Sequence, residues 1–160
     1  MYLADNGLSP YFAYAESFEV LPGIDPNTKN SYKPLEGKLY ETGIKYAPSF
    51  LDGYINLALF DLEQTNSLVS TGSGQQTQAG EVTSQGIELE GSVQATEALR
   101  LTAAYTYTDA KTNDTGNGDR QASLIPRHQA SFWGNYKVQQ GPVSGLEVGT
   151  GVRYIGSSIG

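Results

Sequence analysis

Side chains in this sequence alternate between apolar and polar along stretches of about ten residues, a period of two that restricts the chain to sheet. The cleanest stretch is Gly86-Ile87-Glu88-Leu89-Glu90-Gly91-Ser92-Val93. There Ile87, Leu89 and Val93 fall on one side of an extended backbone, and Glu88, Glu90 and Ser92 on the other. No helix competes with this pattern. Apolar residues do not recur at three-and-four spacing, and the 19 Gly interrupt almost every window.

Alternation, with aromatic and β-branched enrichment, predicts seven strands. They run from Leu8 to Phe18, Lys38 to Ala47, Tyr54 to Thr65, Gly80 to Gln94, Leu99 to Ala110, Arg127 to Gln139 and Gly145 to Ser157. In the fifth, Leu101, Ala103, Tyr105 and Tyr107 oppose Arg100, Thr102, Thr106 and Thr108; in the seventh, Leu146, Val148, Val152 and Tyr154 oppose Glu147 and Arg153. The third and sixth candidates carry apolar residues on both sides, so alternation alone does not orient them. Ile55, Leu57 and Leu59 alternate with Tyr54, Ala58, Phe60 and Leu62.

The connections sort by length. Glu19 to Gly37, Asn66 to Ala79 and Lys111 to Pro126 are long and polar, whereas Pro48 to Gly53, Ala95 to Ala98 and Gln140 to Ser144 are short. Successive antiparallel strands place alternate connections at opposite ends of a sheet, so the long ones share one end. Short turns at one end and long loops at the other characterise outer-membrane barrels.

Composition removes several other classes. Hydrophobic residues make up only 38% of the chain, yet 11% is aromatic, which argues for order over disorder. A net charge of -7 and the absence of a basic run argue against a nucleic-acid partner. There is no Cys and a single His, so thiolate and His-rich metal sites are not expected. No stretch approaches the roughly 18 apolar residues of a membrane-spanning helix, so a membrane role must run through strands. The start of the chain lacks the charged and apolar regions of a signal peptide.

Several segments, in order, resemble the TonB-dependent outer-membrane receptors for ferric siderophores, in particular the ferrichrome and ferrioxamine type. They are Ser9-Pro10-Tyr11-Phe12-Ala13-Tyr14-Ala15-Glu16-Ser17-Phe18, Tyr40-Glu41-Thr42-Gly43-Ile44-Lys45-Tyr46, and Leu59-Phe60-Asp61-Leu62 followed by Asn66. Gly80-Glu81-Val82-Thr83-Ser84-Gln85-Gly86-Ile87-Glu88-Leu89-Glu90, Tyr105-Thr106-Tyr107-Thr108-Asp109-Ala110, Ile125-Pro126-Arg127-His128 and Gly151-Val152-Arg153-Tyr154-Ile155-Gly156 follow. The resemblance implies an all-β antiparallel meander of about seven strands, part of a transmembrane barrel of about 22 strands with a plugged lumen. It further implies a multi-pass position in the cell outer membrane, uptake of a ferric siderophore as cargo, coupling to TonB through a plug domain, and no enzymatic activity. Residues 1–160 then correspond to a partial barrel domain without the plug or the C-terminal strands. On this reading Ile87, Leu89, Leu101, Tyr105 and Val148 face lipid, and Glu88, Glu90, Arg100 and Arg153 face the lumen. Tyr14, Tyr46, Tyr105, Tyr136 and Tyr154 are candidates for the aromatic girdles. Phe18 and Tyr32, at the first long connection, are candidate ligand contacts.

Other readings of the same residues are weaker. Glu88 and Glu90 share a strand face, as the acid and nucleophile of some β-jelly-roll glycosidases do. The third acidic residue of that pattern is missing, since Ser92 and Val93 stand there. Asp25, Asn27 and Glu36 occupy the first, third and twelfth positions of a calcium loop, but Lys29 and Asn30 replace the required ligand and Gly. Asp114 to Asp119 reads as a turn-rich loop, and His128 as structural. The alternative to the membrane reading is a soluble β-sandwich that binds or cleaves carbohydrate, burying Ile87, Leu89, Leu101 and Tyr105 in a dry core.

Overall fold

The computed structural model describes residues 6–70, 76–114 and 119–158. They form one antiparallel sheet of eight strands: β1 (Leu8–Glu19), β2 (Leu35–Tyr46), β3 (Gly53–Ser70), β4 (Gln76–Thr96), β5 (Leu99–Asp114), β6 (Asp119–Gln121), β7 (His128–Lys137) and β8 (Glu147–Ile155). The order across the sheet is β1-β2-β3-β4-β5-β7-β8, with the short β6 pairing only with β5. This is a meander, as the family resemblance implies.

Register resolves the two strands that the sequence left unoriented. Directly opposed residues share a face, and Leu57 stands opposite both Ile44 and Leu89. Leu89 in turn opposes Tyr105, Tyr105 opposes Ala130, and Ala130 opposes Tyr154. Ile55, Leu57 and Leu59 therefore join the apolar face, while Tyr54, Ala58, Phe60 and Leu62 join the polar one. In β7 the apolar face takes Ala130, Phe132 and Tyr136, and Trp133 turns to the polar side. A strand with apolar residues on both sides is oriented only by its partners.

The long connections differ from expectation. Much of 66–79 is strand: β3 continues to Ser70 and β4 begins at Gln76, so the hairpin projects well past the predicted strand ends. The ladder tolerates this because a register shift between Gln64 and Ser67 absorbs an irregularity, with Asn66 in the left-handed region at φ 65°. Asn is among the few non-Gly residues suited to that conformation. Likewise β5 runs on to Asp114 and β6 pairs back against Lys111 to Asn113, where the sequence predicts loop. Thr and Val in these polar segments suit strands, but their weak alternation hid the pairing. Thr115 to Gly118, in the predicted turn-rich loop, lie outside the described residues. At the short end, β7 stops at Lys137 and β8 starts at Glu147, because Val138 and Gly145 close the turn between them.

Three aromatic rings on the polar face lie over glycines of the next strand. Tyr11 covers Gly43, Phe60 covers Gly86, and Trp133 covers Gly149 and Gly151. In the first two pairs, and for Trp133 with Gly151, ring and glycine are direct cross-strand partners. A Cβ at Gly86 would stand 2.2 Å from the Tyr107 carbonyl oxygen and 2.4 Å from the Phe60 ring. The missing side chain is what lets the ring come this close. These contacts pack one side of the sheet without a second layer.

Almost nothing else is buried. Among the described residues the buried hydrophobics are Ala58, Ala110 and Ala122, and no large side chain is fully enclosed.

Candidate functional site

The sequence nominated two faces and a rim, and the register assembles the two faces. On the apolar face, one cross-strand row reads Leu8, Tyr46, Ile55, Gly91, Ala103, Phe132, Val152, and the next reads Pro10, Ile44, Leu57, Leu89, Tyr105, Ala130, Tyr154. Ile87, Leu89, Leu101, Tyr105 and Val148 all lie on this face. Leu89 is 44% exposed and Val152 67%. A continuous apolar surface across seven strands is far larger than the patches that soluble monomers leave in water. The soluble-sandwich alternative is corrected here. Ile87, Leu89 and Tyr105 are open to the surroundings because the single sheet has no second layer to cover them.

Toward the long-connection end the apolar face stops at a charged border. Glu16 opposes Lys38, Lys38 opposes Glu63, and Asp61 opposes Gln85, which donates to its carboxylate at 2.8 Å. Asp109 sits between Lys111 Nζ at 3.4 Å and Arg127 at 3.5 Å. Just inside this border are aromatic groups. The rings of Tyr14 and Tyr40 stand 4.9 Å apart, and the Tyr105 hydroxyl is hydrogen-bonded to His128 Nδ1 at 2.9 Å with Tyr107 alongside. Tyr154 lies near the same end, while Tyr46 and Tyr136 lie at the short-turn end. All five girdle candidates share the apolar face. His128 thus belongs to an aromatic cluster, in keeping with a structural role.

Glu88, Glu90, Arg100 and Arg153 lie together on the polar face, but spread apart. One row runs Lys45, Asn56, Glu90, Ala104, Ser131, Arg153, so two strands separate Glu90 from Arg153. Arg100 donates to Gln94 at 2.9 Å near the short-turn end. Arg153 borders a shallow depression lined by Thr106, Gln129 and Ser131. Tyr11 shares a cross-strand row with Glu88 on this face, with Glu41 and Asn56 in the adjoining rows, and Lys45 Nζ sits 5.4 Å from the Tyr11 ring centre. The result is a wall of mixed charge. No group of three or more His, Cys, Asp or Glu suited to a metal ion occurs among the described residues.

Asp25, at the first position of the calcium-like pattern, is engaged within its own turn. Its carboxylate accepts the backbone N–H of Asn27 at 2.8 Å and of Thr28 at 3.4 Å, and its own N–H donates to the Asn30 carbonyl. This is an Asx turn, and it explains the acidic residue at that spot. Asp25→Ala should cost about 1 kcal/mol of stability, the usual loss for such a cap. Thermal melting with calcium and with a chelator should coincide; separation of the two curves would restore the calcium reading.

At the rim, Phe18 and Tyr32 are not brought together. Phe18 is on the apolar-face side of β1, opposite Glu36 and 74% exposed. Tyr32 lies on the connection Val20–Pro34, with its ring against Gly23, whose φ of 125° needs glycine. Sequence reasoning missed Gln78 and Asn66, whose side chains bond the backbone at Lys33 and Pro34. No local pattern announces them, because the partners are tens of residues away.

Comparison with known proteins decides the family. The model of the TonB dependent receptor-like β-barrel matches residues 1–159. The chain belongs to this family. It is 39% identical over 99% of its length to the ferrichrome outer membrane transporter/phage receptor of Escherichia coli, of which it spans 22%. It is 36% identical to the ferrioxamine B receptor of Salmonella typhimurium, covering 97% of this chain and 22% of that one. Among solved structures, the pyoverdine outer membrane receptor of Pseudomonas aeruginosa superposes with a TM-score of 0.76 at 23% identity, over 94% of this chain and 23% of that one. The chain thus spans about a fifth of the length of its relatives. The meander corresponds to part of a TonB-dependent receptor barrel, in a family of outer-membrane transporters that are not enzymes.

Proposed function

We propose that this chain is a wall segment of a TonB-dependent receptor that takes up a ferric siderophore across the outer membrane. The apolar face contacts lipid, the mixed-charge face lines the lumen, and the long connections form the outer mouth. The observation that carries this reading is the uncovered apolar face bounded by aromatic and then charged residues. From Leu99 to Tyr107, β5 extends about 26 Å at the usual rise per residue. With the usual tilt of about 40° it crosses roughly 20 Å of the membrane, close to the 25 Å apolar band of such barrels. In this setting Ile87, Leu89, Leu101, Tyr105 and Val148 meet lipid, and Glu88, Glu90, Arg100 and Arg153 meet water or the plug through which TonB acts. The cargo class is supported by the relatives, which are named for ferrichrome and ferrioxamine B.

The test is uptake of radio-iron, offered as ferrichrome and as ferrioxamine B, by cells that carry the full-length receptor as their only route for that chelate. Energy-dependent uptake of one of them, lost when TonB is deleted, is the expected result; no uptake of either chelate overturns the cargo assignment. For the rim, Tyr32→Ala should weaken binding of the transported chelate by about tenfold, a typical loss for an aromatic contact. Unchanged binding removes Tyr32 from the mouth. Phe18, on the outward side of β1, leaves Tyr32 as the better-placed of the two candidates.

A further inference from the structure

The carboxamide of Gln78 binds the backbone of Lys33, 45 residues earlier in the chain, as a neighbouring strand would. Its Oε1 accepts the Lys33 N–H at 2.7 Å and its Nε2 donates to the Lys33 carbonyl at 2.5 Å. The same Nε2 donates to the Asn66 carbonyl at 3.0 Å, and the Asn66 side chain donates to the Pro34 carbonyl at 2.8 Å. Two side chains of the β3–β4 hairpin thus hold the exit of the Val20–Pro34 connection. The left-handed backbone at Asn66 aims the second of them. The connection is also ordered within itself. Ile24 bridges Ser31, Asp25 caps the turn, and Tyr32 packs on Gly23. A loop fixed internally and keyed externally at Lys33 and Pro34 has little freedom to move apart from the hairpin.

We propose that Gln78 is a positioning residue that joins the Val20–Pro34 connection and the β3–β4 hairpin into one rigid rim body, and so holds Tyr32 in place for an incoming chelate. The last step rests on the reading of this rim as the ligand mouth. A pair of donors and an acceptor on one short side chain fits this task, because it fixes orientation as well as distance.

The experiment uses the full-length receptor in detergent or vesicles. Without ligand, Gln78→Ala should speed hydrogen exchange of the Lys33 amide by about tenfold or more, since its acceptor is gone. Gln78→Glu keeps the acceptor but loses both donations, and should fall between the two. With ferrichrome or ferrioxamine B, whichever the uptake assay selects, Gln78→Ala should raise the concentration for half-maximal uptake about fivefold or more. Maximal uptake should stay within about twofold, since the barrel and its coupling are untouched. A Lys33→Cys/Gln78→Cys pair bridged by a short bifunctional thiol reagent should transport normally, because the two segments move together.

Unchanged exchange in Gln78→Ala overturns the clamp whatever the cargo proves to be. Faster exchange with unchanged half-maximal uptake overturns its role at the mouth, and a bridged pair that blocks transport shows that the two segments separate in the cycle. Failure of the unmodified receptor to import either chelate is a different result. It overturns the cargo assignment and leaves the exchange measurement standing.

Discussion

Leu89→Arg in the full-length receptor is expected to lower folding stability in lipid by about 2 to 4 kcal/mol, whereas Glu90→Arg, one residue along, should change it by less than about 1 kcal/mol. The contrast comes from strand geometry. Leu89 stands between Leu57 and Tyr105 in the apolar row, so an arginine there must strip its guanidinium of water or distort the bilayer. Glu90 stands between Asn56 and Ala104 on the opposite face, in a row that runs from Ser9 through Lys45 to Arg153. Urea titrations of the receptor folded into short-chain lipid vesicles give the difference directly. Equal costs for both substitutions mean that the faces are assigned wrongly. A larger cost for Glu90→Arg means that they are reversed.

Gly86→Ala should destabilise the barrel by about 1 to 3 kcal/mol, and Gly134→Ala by much less. At Gly86 the new methyl group meets both the Tyr107 carbonyl oxygen and the Phe60 ring at distances that Cβ atoms essentially never show. The backbone contact cannot be relieved by a rotamer change, so β4 and β5 must part, and Phe60 must also leave its place. Gly134 offers a control within the same sheet, because its nearest neighbours are a Leu101 methyl at 3.6 Å and the Thr150 carbonyl at 4.0 Å. Comparable losses at the two positions argue that general β-propensity, not the ring seated on the glycine, governs the cost.

The two predictions draw on different amounts of sequence information. That Leu89 and Glu90 face opposite ways is plain from period two alone, and five strands can be read in this manner. Leu57 and Phe60 cannot, because each sits in a strand with apolar residues on both sides, and only pairing with β2 and β4 separates them. The glycine seats are harder still, since Gly86 and Phe60 are 26 positions apart and nothing local marks them as partners. Loop sorting was legible as an asymmetry but not as structure. The polar run from Asn66 to Ala79 satisfies the composition of a loop, yet past the irregularity at Asn66 the described residues Ser67, Leu68, Val69 and Ser70 pair strand to strand with Gly80, Gln78, Thr77 and Gln76. The rim was the least legible part. Tyr32 was suggested by residue type and position, whereas Gln78 acts through backbone atoms that any residue at position 33 would supply.

The order of the strands also bears on how such a wall is made. Every strand from β2 on pairs with the one before it in the chain except β7, which pairs with β5 across the short β6, so no partner has to be awaited from a distant segment. Closing such neighbours costs little chain entropy, and topologies rich in local contacts form quickly. A wall of this kind can therefore grow hairpin by hairpin, each new strand docking on an edge that has just formed. Its unpaired hydrogen-bonding groups are then exposed only until the next strand arrives, which limits the edge-to-edge aggregation that threatens an unfinished sheet.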